Sequence, residues 1–299
     1  MRLAGAFASA SAEHPVVAAE STIFSELGLP DPYNREALNR CRQAVIGNGA
    51  EFALTAVLDG VATVGVKAAD FDRICGPTRK VAERDIPVAI AQGWDYGATT
   101  VSASLALAAH AGLRVFATGG IGGVHTGVEQ SGDISADLPA LAKHRVVTVS
   151  AGAKVFLDLP RTLEYLETWS VPVIGWQTDE FPAFHARTSG LPVAHRADTA
   201  EEVAAIAQAH WDLGGGGILV TAPVPEPDAL AWDELIQAAE EAVRRADADG
   251  VAGNAVTPAV LGHLASITDG RTIGANLALA ENNAAVAAQI AVAISSRQV

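Results

Sequence analysis

Lys154 stands in the segment VTVSAGAKVFLDL, where a run of small and apolar residues ends in a turn. A lysine amine attacks a carbonyl only when it is deprotonated. Neighbours such as Ala151, Gly152, Ala153, Val155 and Phe156 desolvate the ammonium and lower its pKa toward neutrality, which suits Schiff-base formation. The same segment also fits a surface lysine at the start of a helix. Glu20 follows the apolar run PVVAA directly and precedes Ser21 and Thr22. A carboxyl group at the mouth of a strand, with hydroxyls to orient it, suits a general acid or base; an exposed strand end is the plainer reading.

The run TGGIGGVHTG, from Thr118 to Gly127, follows the strand-like RVFA, and its paired glycines let a backbone approach a ligand closely. A phosphate or sugar cradle is one reading and a tight structural turn the other. No dinucleotide fingerprint fits, because His125 stands where the third glycine of GxGxxG belongs; nor is Lys154 followed by Ser or Thr, as a P-loop requires. SGDISADL then offers Asp133, Ser135 and Asp137, and carboxylates beside such a loop suit a hard divalent cation. One of those aspartates also fits a helix cap. Lys80, in TRKVAERDIP, is a second basic candidate, and GATTVSASLALAAHAG offers helix N-terminal amides to an anion. The glycines from Gly214 to Gly217 read as a helix stop before a strand.

Elements that would position these residues follow from hydrophobic patterning. Short Val/Ile/Ala runs ending in glycine alternate with alanine-rich helical patterns, the signature of an α/β fold. PVVAAES, VAIAQ, RVFATGG, RVVTVSAG, VPVIGWQ and GGILVTAP read as strands. Helices are expected over residues 34–47, 98–111, 200–213, 229–248 and 276–296. Residues 51–76 carry their own apolar pattern and read as a small excursion or subdomain within a single domain spanning 1–299. With 299 residues, 49% hydrophobic and 18% charged, the chain can bury a large core. A formal net charge of −14 argues against nucleic acids and anionic membranes as partners. Cys41 and Cys75 lack metal or redox spacing and read as reduced core residues. MRLAGAFASASAEHP is too short and too serine-rich in its apolar stretch for an export signal, so a cytoplasmic enzyme is expected.

The strings AESTI, KVAERDIP, GATTV, FATGGIGGVH, DISADL, AGAK and WQTDEFPAF, with the NN-containing final helix, closely resemble the pseudouridine-5′-phosphate glycosidases, or indigoidine synthase A-like family. The resemblance runs in order from about Pro15 to the C-terminal helix. It implies a three-layer α/β/α sandwich around a mixed, largely parallel sheet, a homotrimer, a Mn²⁺ or other divalent cation, and a carbon–oxygen lyase by class. The implied reaction makes or breaks the C–C bond between C1′ of ribose 5-phosphate and C5 of uracil. Carried over by motif, Lys154 forms the imine with ring-opened ribose 5-phosphate and Glu20 is the proton donor. Lys80, Val101, Ser135, Ala136 and Asp137 bind substrate, Asp133 binds metal, and His125 and Asn276 match further substrate-site positions.

Chemistry favours this set, because a C-glycosidic bond cannot be broken by protonating a leaving oxygen as paired-carboxylate glycosidases do. An imine at C1′ supplies the electron sink. Two departures stand beside the expected sugar and base contacts: ESTIFSELGLP lacks the family's usual histidine and carries an extra residue, and Trp94 and Tyr96 precede the GATTV string. They suggest an altered acceptor pocket, hence a C-glycosynthase of secondary metabolism joining ribose 5-phosphate to another aromatic or heterocyclic acceptor. Loop drift in a uracil-specific enzyme accounts for them equally. A catalytically inactive sugar-phosphate-binding protein on the same fold is the alternative of a different class.

Overall fold

The computed structural model describes residues 3–7, 14–251 and 256–297. Its strands in chain order are β1 (Leu3–Ala4), β2 (Val16–Ala19), β3 (Glu51–Leu58), β4 (Val61–Val64), β5 (Arg79–Val81), β6 (Tyr96–Thr99), β7 (Val115–Ala117), β8 (Val124–His125), β9 (Val147–Ser150), β10 (Leu157–Asp158), β11 (Val173–Trp176), β12 (His195–Ala197) and β13 (Ile218–Thr221). The principal sheet runs β1-β4-β3-β2-β7-β9-β13-β11-β12, and β8 and β10 form a separate antiparallel pair. From β3 through β2 to β12 every pairing is parallel; β4 and β6 run antiparallel to β3. The fold is thus the mixed, largely parallel α/β/α arrangement that the resemblance implies.

Parallel strands covered on both faces read as near-continuous apolar runs, and β2, β9 and β13 are buried at every position. The Arg271–Arg297 helix packs on β2, β7 and β9 and against the Tyr33–Gly47 helix, while Val101–His110 packs on β2, β3, β4, β6 and β7 and Asp137–Lys143 on β13. Among the described residues, Arg271–Arg297 is the one helix long and apolar enough to cross a membrane, but 72% of its apolar window is buried inside the protein. Local signals set several helix starts. Thr199 and Glu202 form a capping box before Ala200–Asp212, and Asp158 accepts the Arg161 N–H ahead of Leu159–Thr168.

Most expected elements stand within a few residues of their positions. The exception is VAIAQ, which is not a strand: residues 86–91 form a helix, Ile86–Ala91. Pro87 in its first turn has no N–H for a ladder, and the Asp85 carboxylate accepts the Ala82 N–H at 3.0 Å, shaping the turn that enters the helix. Ile86 and Ala89 are buried at helical spacing while Val88 is 42% exposed, so the run pays no strand periodicity. The final helix begins at Arg271, earlier than expected, and the Val101–His110 helix begins later, because Ala98 and Thr99 end β6. The first half of β3 pairs with β2 in the parallel layer, and its second half pairs with β4 and β6. Cys41 and Cys75 are buried free thiols.

Candidate active site

In open α/β sheets, ligands sit at the carboxyl ends of the strands, where the strand order switches direction. Here the chain leaves β2 for β3 on one side and later returns to place β7 on the other. Ala19 stands opposite Ala117, and Ala117 opposite Val149. Glu20, Thr118 and the segment ending in Lys154 therefore leave three adjacent parallel strands at the same edge, although they are distant in sequence.

Glu20 is 8% exposed, and burial pushes its pKa up from 4.5 to about 7. The hydrogen bond from the Thr118 hydroxyl and the charge of Lys154 oppose that rise without reversing it. The hydroxyls next to Glu20 in sequence do not serve it, contrary to expectation. The Ser21 hydroxyl pairs with Thr99 at 3.2 Å, and Thr22 donates to the Thr99 carbonyl at 2.7 Å. The neighbouring strand supplies the hydroxyl instead. The Asn283 amide in turn donates to the Thr118 and Gly119 carbonyls at 2.8 and 3.1 Å, tying this edge to the long C-terminal helix.

Lys154 is half-buried and donates through Nζ to the Gly120 carbonyl at 2.9 Å. Desolvation holds its pKa below the usual lysine value; Lys80 acts in the same direction, and Asp137 and Glu20 oppose it. Asp137 does not cap its own helix. Its Oδ1 accepts the Ser102 N–H at 3.0 Å, and its Oδ2 accepts the Gly122 N–H at 2.9 Å. One buried carboxylate thus joins the start of the Val101–His110 helix to the glycine run, and the Ser102 amide is already engaged.

The glycine run serves packing more than a cradle. A Cβ at Gly122 would lie 2.3 Å from Ser135 Oγ, and one at Gly123 2.4 Å from Thr162 Oγ1. The Gly122, Ile121 and Val124 amides are taken by Asp137, the Gly152 carbonyl and Thr162. Glycine is required here because neighbouring elements approach closely, with Gly119, Gly120 and Gly122 left on the wall of a cavity.

That cavity, of about 1030 Å³, is lined by every residue nominated from sequence: Glu20, Lys80, Val101, His125, Asp133, Ser135, Ala136, Asp137, Lys154 and Asn276. Asn276 is buried beside His185, whose imidazole its side chain meets. Sequence reasoning missed Thr118, Asn283, Phe184 and His185. The first opens the glycine string and the last two close the PAFH string, so the signal was present but no role could be read from it. His185 is fully buried, and burial lowers its pKa to about 3, leaving a neutral imidazole.

Asp133 Oδ2 lies 3.9 Å from His125 Nδ1, and no group of three or more His, Cys, Asp or Glu side chains forms a metal cage among the described residues. The Asp133 carboxylate is the donor that suits a hard divalent cation, which keeps most of its waters and takes only one or two protein carboxylates. Of the two sequence departures, only one touches the cavity. Residues 26–30 line it, but Trp94 and Tyr96 do not. Trp94 carries Arg79 over its ring at 4.9 Å, and the buried Tyr96 donates to the Ile74 carbonyl at 3.1 Å. The expectation that these two aromatics line the acceptor pocket is therefore corrected: their side chains meet β5 and the Phe71–Ile74 helix.

A family model described as indigoidine synthase A like protein matches residues 7–293. A pseudouridine-5′-phosphate glycosidase of Sorangium cellulosum is 48% identical over 284 residues, covering 94% of this chain and 89% of that protein. One from Methylobacterium nodulans is 50% identical over 283 residues, covering 94% and 83%. Among solved structures, the prealnumycin C-glycosynthase AlnA in complex with ribulose 5-phosphate superposes with a TM-score of 0.87 at 38% identity, over 96% of this chain and 93% of that one. An indigoidine synthase A-like protein from Thermotoga maritima gives a TM-score of 0.87 at 35% identity, over 98% and 96%.

Proposed function

The chain belongs to the indigoidine synthase A-like family, and on that premise we propose that it makes or breaks the C–C bond between C1′ of ribose 5-phosphate and a carbon nucleophile, through an imine on Lys154. The observation that carries this reading is the pairing, on one cavity wall, of a desolvated lysine with a carboxyl group poised near neutrality. Near pH 7 Glu20 is present both as acid and as base, the condition for moving a proton in either direction.

In the bond-making direction, Lys154 Nζ adds to the C1′ aldehyde of the open sugar and water leaves, giving the iminium. The acceptor carbon attacks C1′, and the electron pair of the C=N bond returns to nitrogen. Glu20 takes the proton from that carbon; the sugar hydroxyl then closes on C1′, and its proton passes to the lysine nitrogen, which departs as the free amine. Cleavage is the reverse, with Glu20 donating. Lys80, Val101 and the Ser135–Asp137 stretch hold the sugar phosphate, and Asn276 offers its amide to the acceptor.

Uracil is the acceptor supported by the names of the relatives at 48% and 50% identity. A different aromatic or heterocyclic ring is supported by residues 26–30, which depart from the family pattern and line the cavity. Incubation with ribose 5-phosphate and uracil decides between them: efficient formation of pseudouridine 5′-phosphate defeats the specialised reading. Borohydride trapping of a ribose 5-phosphate adduct on the Lys154 peptide, read by mass spectrometry, tests the imine; no adduct under turnover conditions defeats it.

Asp133 would hold the divalent cation, Mn²⁺ by family resemblance, which would supply positive charge for the sugar phosphate when bound; His125, which matches a substrate-site position, stands 3.9 Å from that carboxylate. Chelation is expected to lower turnover and Mn²⁺ to restore it. The reading includes a homotrimer and a cytoplasmic setting, and light scattering of the purified protein tests the trimer.

A further inference from the structure

Phe184 has a φ of 61°, a left-handed conformation that bulky residues rarely adopt and that persists only where the surroundings enforce it. Its enforcers are backbone groups of the segment that carries Lys154. The Phe184 N–H donates to the Ala151 carbonyl at 2.9 Å, and Ala183 bridges Gly152. Gly152 is itself left-handed, with φ 79°, and a Cβ there would lie 1.9 Å from the Pro182 carbonyl oxygen. The turn at 182–184 is thus docked directly on residues 151–152.

The docked turn delivers the Phe184 ring to the amine. A Cβ at Gly120 would lie 2.6 Å from Phe184 Cδ2, so the ring occupies the space that this glycine leaves. The Gly120 carbonyl accepts the hydrogen bond from Lys154 Nζ, and Nζ lies 6.0 Å from the ring centroid. That separation is at the outer limit of cation–π attraction, which leaves little direct attraction between ring and amine.

We propose that Phe184 is a positioning residue for the Lys154 amine: its ring, held over Gly120 by the left-handed turn, excludes water from Nζ and keeps the amine directed at the cavity. The inference rests on the imine reading for its meaning in catalysis, but not for its test. The charged groups acting on Lys154 are Glu20 from the end of β2, Asp137 from the start of its helix, Lys80 from β5 and His125 from β8. None belongs to the Phe184 turn, so replacing Phe184 leaves the charge set intact. Desolvation is the largest cause of the lowered lysine pKa, as an apolar cover requires.

Competitive acylation with trace acetic anhydride across pH, quantified on the Lys154 peptide by mass spectrometry, measures the amine's protonation without substrate. Asparagine tolerates the left-handed conformation but is polar. Phe184→Asn is expected to raise the acylation midpoint by about one pH unit, roughly tenfold less neutral amine at any lower pH. Phe184→Leu, which keeps an apolar cover, is expected to retain the wild-type midpoint. If Phe184→Asn fails to fold by circular dichroism, Gly120→Ala, whose Cβ displaces the ring, is expected to raise the midpoint instead. An unchanged or lowered midpoint in the wetter variant overturns the proposal. Failure of borohydride to trap ribose 5-phosphate on the wild type would sink the imine reading alone, since the acylation midpoints still score Phe184.

Discussion

Replacing Glu20 by glutamine separates the chemistry of this carboxyl group from its effect on folding. Glu20 is 8% exposed, and its pKa rises from 4.5 to about 7 because burial disfavours the carboxylate. Below about pH 4.5 the group is neutral in both folded and unfolded chains and adds no pH dependence. Between about 4.5 and 7 the unfolded chain ionises while the folded one does not. The folded state then holds the extra proton, so stability falls as pH rises through that window. Above about 7 both states are ionised and the penalty is constant. A rise of about 2.5 units, at roughly 1.36 kcal/mol each, makes the penalty about 3 kcal/mol. Glutamine keeps the shape without ionising. Glu20→Gln should therefore gain about 3 kcal/mol relative to wild type between about pH 4.5 and about pH 8, by urea denaturation in matched buffers. Its turnover should fall by about 10²–10⁴-fold, the usual contribution of a general acid or base. A stability difference that stays flat across this range, or that moves the other way, refutes the buried neutral carboxyl.

Lys154→Ala should abolish turnover, and Lys154→Arg should not restore it, because a guanidinium forms no imine; near-normal activity in either variant sinks the covalent mechanism. Asp137→Asn replaces one of two accepting oxygens with a donor facing a backbone N–H. It should cost about 1–3 kcal/mol in urea denaturation and slow turnover by loosening the Gly122 contact. Trp94→Ala should leave acceptor preference unchanged in competition between uracil and other rings, since Trp94 stands outside the cavity; a changed preference would return it to the site. Gly152→Ala should sharply reduce soluble folded protein, because its Cβ would meet the Pro182 carbonyl at 1.9 Å; normal yield and unfolding midpoint would contradict the docked turn.

Local features nominated Lys154 and Glu20, each at the end of a small or apolar run, without separating them from a surface lysine and an exposed strand end; the family resemblance made that choice. The partners of these two groups were not legible. Ser21 and Thr22 look placed to orient Glu20, yet β2 ends at Ala19 and the chain turns at once into a short 3-10 helix, Thr22–Phe24, so both hydroxyls go to Thr99 instead. Thr118, 98 positions away, is the hydroxyl that reaches the carboxylate. VAIAQ misled because a short apolar run fits strand and buried helix alike, and Pro87 decided between them.

Hydrophobic periodicity and short motifs are properties of nearby residues, so the family resemblance and the alternating α/β plan could be read directly from the chain. That Glu20, Thr118 and Lys154 share one sheet edge emerged only from the packed fold. So did the room that the glycines make for Ser135, Thr162 and Phe184, and the place of Trp94 and Tyr96 against Arg79 and the Ile74 carbonyl, off the cavity lining. Those outcomes depend on which distant strands lie side by side and how closely their backbones pack.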